Sequence, residues 1–122
     1  MDARDVVRAD ALFEAALGVA LVLGASTGAL GADDFPDPVG SAVVAVAGCL
    51  LLGIAAFLWR GGVALRTLAA ANAVTAAAGL VWFVAADDFS AAGTLVVVVA
   101  VVGLTLLAAA QIAASADRVS LR

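Results

Sequence analysis

The chain has no histidine, lysine or tyrosine, and only one cysteine and two prolines in 122 residues. Each absence removes a class of function. Without histidine there is no usual general base and no imidazole ligand for a metal or haem. The lone Cys49 can close no internal disulfide, and no basic residue of its own segment would make it a thiolate. Positive charge rests on six arginines alone, with no basic run to bind nucleic acid. Charged residues are 13% of the chain, about half the share of a soluble domain. No glycine-rich phosphate loop follows a strand, because no strand pattern is present. No cofactor is implied and no enzyme is expected.

What is abundant is apolar: 66% of residues are hydrophobic and mean hydropathy is +1.19. Soluble domains run nearer 45–50%, so the natural solvent of this chain is lipid. A membrane-spanning helix needs about 20 mostly apolar residues. Four stretches qualify, at about 11–30, 39–59, 67–86 and 91–115. The expected fold is all-α, a four-helix transmembrane bundle forming one integral membrane domain over 1–122. The first stretch resembles a signal peptide in its positive flank, but it is too long and contains Glu14, so it is expected to stay as a span.

The few charges sort by position. Arg4 and Arg8 precede the first stretch, Arg60 and Arg66 fall in the second connection, and Arg118 and Arg122 close the chain. The first and third connections hold no arginine and carry Asp33, Asp34, Asp37, Asp87 and Asp88. Short arginine-rich segments stay cytoplasmic. The expected topology is multi-pass in the cell membrane, with both termini cytoplasmic and the acidic loops outside.

An internal repeat is also legible. Ala32-Asp33-Asp34-Phe35 recurs as Ala86-Asp87-Asp88-Phe89, and each copy closes an odd-numbered stretch. Gly40-Ser41-Ala42-Val43-Val44 parallels Gly93-Thr94-Leu95-Val96-Val97. Two similar helical hairpins of the same orientation are expected. Small residues should bring the helices close in lipid, notably Gly18, Gly48, Gly53, Gly79 and Gly103. Cys49 is expected as a small buried apolar residue, and Trp59 and Trp82 as interfacial anchors.

Three polar residues interrupt the apolar stretches. Glu14 lies six residues after Arg8, Asn72 six after Arg66, and Gln111 seven before Arg118. At 1.5 Å per residue each lies roughly 9–10 Å inward of its arginine. Together they would form one polar layer in the inner half of the bundle. An ionisable group inside a span points to function. Here it competes with a simpler role, hydrogen bonds that fix which helix faces meet. The leading reading is a structural or accessory membrane protein packed around this layer. Its partners would be the lipid bilayer and either another membrane protein or further copies of itself. The alternative is a small proton- or cation-coupled transporter using Glu14.

A carboxylate in the first of four short spans resembles the small multidrug resistance transporters, as do chain length and span count. That resemblance would imply proton-coupled export of cationic compounds through Glu14. The chain departs from the family in lacking tyrosine, an aromatic residue at the depth of Glu14, and the later-helix motifs. In the first loop, Asp33-Asp34-Phe35-Pro36-Asp37 has the D-D-x-x-D spacing that binds Mg²⁺–diphosphate in prenyl-transferring enzymes. Asp87 and Asp88 would be its partners around a hard cation. The simpler reading, a solvated and topology-setting loop, is preferred, and no metal is assigned.

Overall fold

The computed structural model describes residues 2–120, and the side chains of residues 2–117. Four helices follow one another: α1 Ala3–Thr27, α2 Ser41–Arg60, α3 Leu65–Ala85 and α4 Ala91–Ser120. No strand occurs among the described residues. The protein is an all-α four-helix bundle. α2, α3 and residues 91–117 of α4 are each long and apolar enough to cross a membrane. α1 is not among those three helices; its 25 residues include Arg4, Asp5, Arg8, Asp10 and Glu14.

Local chemistry sets the helix limits. α1 starts eight residues earlier than its apolar run because the Asp2 side chain accepts the Asp5 N–H at 2.9 Å, capping the first turn. It ends at Thr27, not at Leu30, because Gly28 takes the left-handed conformation, with φ +80°. The chain then doubles back. The Leu30 N–H donates to the Gly24 carbonyl at 2.9 Å, and the Leu30 side chain lies over Gly24. Between α2 and α3 the turn is made by Gly61 and Gly62, at φ +85° and +87°, which L side chains rarely adopt.

α1 packs against α2 and α4, and α3 packs against α4. The buried residues of α1 are Val6, Asp10, Ala11, Glu14, Gly18 and Leu21, one stripe at helical spacing. α1 and α2 cross at Gly18 and Gly48. A methyl group on either would lie 2.8 Å from the carbonyl oxygen of the other, so only glycine admits this approach. At the α1–α4 contact the Phe13 ring lies directly over Gly103, and Val101 approaches Gly79 between α3 and α4. Two sequence expectations fail here. Gly53 meets nothing within 4 Å, and Cys49 is exposed rather than buried, facing away from α1 one residue beyond Gly48.

The two ends of the bundle differ. At the aspartate end, the α1–α2 and α3–α4 loops come together. Phe35, Trp82, Phe83 and Phe89 form an aromatic cluster, with Trp82 and Phe89 centroids 4.8 Å apart. Leu21, Leu30, Val44 and Val97 complete this core. Trp82 is therefore a packing residue at that end. Trp59, at the other end, is 53% exposed, with the Arg8 guanidinium 5.1 Å from its ring centroid.

Candidate functional site: a bonded carboxyl and an unbonded one

The polar layer forms between α1, α3 and α4, and its third member is Asp10. The Asp10 Oδ2 accepts hydrogen bonds from Asn72 Nδ2 and Gln111 Nε2, both at 2.6 Å. Asn72 Nδ2 also donates to Gln111 Oε1 at 3.1 Å. Asp10 and Gln111 are fully buried, and Asn72 is 5% exposed. One carboxylate oxygen thus ties three helices together. Asn72 and Gln111 meet as their depth predicts, but no hydrogen bond joins either of them to Glu14 among the described residues.

Glu14 lies one turn further along α1, four residues from Asp10 and on the same buried stripe. It is only 6% exposed, yet its Oε2 is buried without a hydrogen-bond partner. It lines a cleft of about 500 Å³ between α2 and α3. The walls of the cleft are apolar, including Val43, Leu51, Val97 and Leu104, with Asn72 and Thr75 as polar neighbours. Thr75 spends its hydroxyl on its own helix, donating to the Ala71 carbonyl at 2.8 Å. The cleft exists because α2 is held through α1 and α3 through α4, leaving the faces of α2 and α3 apart at mid-height. On the Asp10 side of the helix, the second oxygen, Oδ1, is also buried and unpartnered.

Asp10 escapes a reading by apolar runs because it stands two residues after Arg8, just before the run begins, and passes for part of the charged flank. The signal that finds it is periodic. Val6, Asp10, Glu14 and Gly18 recur every fourth residue, the spacing of one helix face.

The acidic loops hold a different arrangement. Asp34 is a clasp between them: its Oδ2 accepts the Gly31 N–H at 2.9 Å, and its Oδ1 accepts the Ser90 hydroxyl at 2.5 Å. The Asp34 carbonyl accepts the Ser90 N–H at 3.1 Å and lies against Gly93. These bonds from Ser90 and Gly31 hold the Asp34 carboxyl below its ordinary pKa. Among the described residues no three acidic or cysteine side chains gather as a metal site, so Asp33, Asp34, Asp37, Asp87 and Asp88 do not converge on a cation. Of the six arginines, Arg4, Arg8 and Arg60 line a recess at the opposite end, and Arg66 donates to Ser115 Oγ at 3.3 Å. Arg122 and the Arg118 side chain lie outside the described residues.

Fold and composition define the class, a small helical membrane protein with a buried polar triad beside a lateral cleft. In comparisons with protein-family models, curated proteins and solved structures, nothing matches the chain.

Proposed function

We propose that this is a non-enzymatic membrane protein of structural or accessory type, in which the Asp10–Asn72–Gln111 triad locks α1, α3 and α4. The observation that carries the reading is the fully buried Asp10 carboxylate, bonded at 2.6 Å to a helix on either side. Such a network specifies which faces meet, with both amide side chains spent on one Asp10 oxygen. In this reading α1 crosses the membrane alongside the other three helices, because its charged stripe is covered by α2, α3 and α4. The two arginine-bearing connections and both termini face the cytoplasm, and the aspartate loops face outward. The partners are the bilayer and a second membrane protein or further copies of this chain. A cysteine at Asp87 in a Cys49→Ser background should label from outside intact cells; labelling only after permeabilisation overturns the topology.

One observation favours a second reading. Glu14 presents a buried, unpartnered oxygen to a cleft large enough for a small molecule. A carboxyl so placed suits a small transporter coupled to protons or cations. Proteoliposomes holding a pH-sensitive dye, under an imposed pH gradient, separate the two. Proton entry lost in Glu14→Gln, with the bundle intact, replaces the accessory reading by the transporter. Equal, slow leakage in both upholds the accessory reading.

A further inference from the structure

We propose that the recess at the arginine end is a binding site for the phosphate of an anionic phospholipid headgroup, held by Arg4, Arg8 and Arg60. The inference rests on the membrane reading of the bundle. The recess encloses about 440 Å³ between the first turns of α1, the last turn of α2 and the α2–α3 loop. All three arginines line it, and among the described residues no carboxylate forms an ion pair with them. Of the nearest acids in sequence, Asp2 turns a side-chain oxygen to the Asp5 backbone N–H, and neither Asp2 nor Asp5 lines the recess. Three unneutralised guanidinium groups around one concavity repel each other until an anion enters. Arginine is the side chain that grips phosphate through paired N–H donors.

Two further features point to the same ligand. Arg8 is held over the Trp59 ring, which orients its guanidinium at the rim. The α2–α3 loop, turning on Gly61 and Gly62, brings the start of α3 to the recess, where Leu65 lines it. α3 begins at Ala64, which has no side chain to cap it, so its first N–H groups take no side-chain partner. Uncapped helix N–H groups favour an anion. α1, in contrast, has its own cap in Asp2. Trp59 and Arg60 also end the apolar run of α2, which sets the recess at headgroup depth. A basic pocket between membrane helices at that depth suits an anionic lipid better than a free ion.

The test uses the full-length protein in mild detergent doped with equal phosphatidylglycerol and phosphatidylcholine, read by native mass spectrometry. One phosphatidylglycerol should be retained in preference to phosphatidylcholine. Each of Arg8→Gln and Arg60→Gln should weaken that retention about fivefold, and the pair about thirtyfold. Arg66→Gln, whose guanidinium is engaged with Ser115, should leave it unchanged. Equal retention of both lipids, or an equal loss in Arg66→Gln, overturns the site. Thermal protection by inorganic phosphate alone, as strong as by phosphatidylglycerol, assigns the recess to a free phosphate and overturns the lipid. A chain that stays in solution without detergent overturns the membrane reading itself, whereas unselective lipid retention overturns only the headgroup site.

Discussion

Asp10 and Glu14 are one helical turn apart on the same face, yet their surroundings are opposite. Asp10 faces the seam of α1, α3 and α4, where two amide side chains converge on one oxygen. Glu14 faces the gap between α2 and α3, where the walls are apolar and no donor reaches its Oε2. The difference comes from helix pairing, not from the residues. α4 closes on both α1 and α3 and brings Gln111 with it, while α2 packs along α1, crossing it at Gly18 and Gly48. A carboxyl in the seam becomes a structural knot. The carboxyl one turn away is buried too, but no donor reaches its Oε2.

The largest effect should come from cutting that knot. Asp10→Ala leaves the Asn72 and Gln111 amides buried without their acceptor, and should cost about 2–3 kcal/mol. Thermal unfolding in detergent measures it. Replacing Asp10, Asn72 and Gln111 together by leucine should restore most of the loss, because no orphaned polar group remains. A triple variant as unstable as Asp10→Ala would show that the network contributes more than mutual satisfaction.

Next comes the crossing that holds α2. A leucine at Gly48 would press its Cβ against the Gly18 carbonyl and the Val22 nitrogen, both backbone atoms that cannot move aside. The expected loss is about 2 kcal/mol, a typical overpacking cost. Gly53→Ala on the same helix meets open space and should be neutral or stabilise by up to about 1 kcal/mol. If both changes destabilise equally, the α1–α2 seam is not where α2 is held.

The aspartate end offers a smaller, pH-dependent test. Asp34 is held below its ordinary value of 3.8 by its bonds from Ser90 and Gly31. The folded chain therefore releases this proton more readily than the unfolded one. The stabilisation is fully present above the ordinary value and fades as pH falls through the lower folded value. Trp82 fluorescence from the adjoining aromatic cluster, followed in a Trp59→Phe background, should show acid loosening of this end below about pH 4. Asp34→Asn should flatten that transition.

Much of this was legible beforehand, and the misses have definite causes. Four helices follow from four apolar runs of helical length. That Asn72 and Gln111 stand at one level of the bundle is in keeping with their similar offsets to the flanking arginines. The role of Asp10 is not legible in this way, because neighbouring charges hide it and only the fourfold spacing of its stripe betrays it. Gly48 and Gly53 look equivalent in composition; which one faces α1 depends on helix phase, and only Gly48 shares a face with Val44. The Asp34 clasp needs Ser90, 56 residues away, to arrive beside it. No run or motif predicts that contact. The two copies of the Ala-Asp-Asp-Phe tetrapeptide do meet in space, with the Phe35 and Phe89 centroids 6.3 Å apart. They meet on unequal terms, since Pro36 follows the first and Ser90 the second.

The smallest expected effect on stability is the most informative about function. Glu14→Gln keeps the shape of the side chain and removes only its charge and proton. Because Glu14 takes no hydrogen bond from the triad, the change should shift stability by about 0.5 kcal/mol or less, below the average worth of one bond between membrane helices. Asp10→Asn keeps one acceptor for Asn72 and Gln111 but loses the charge that strengthens both bonds and places a buried amide N–H group where Oδ1 has no partner, and it should cost clearly more. If the two conservative changes prove equally costly, Glu14 belongs to the structural seam, and the cleft is a packing defect. If Glu14→Gln is silent in stability but alters proton entry into vesicles, the two carboxyls divide the labour. In that outcome Asp10 holds the helices and Glu14 works between them.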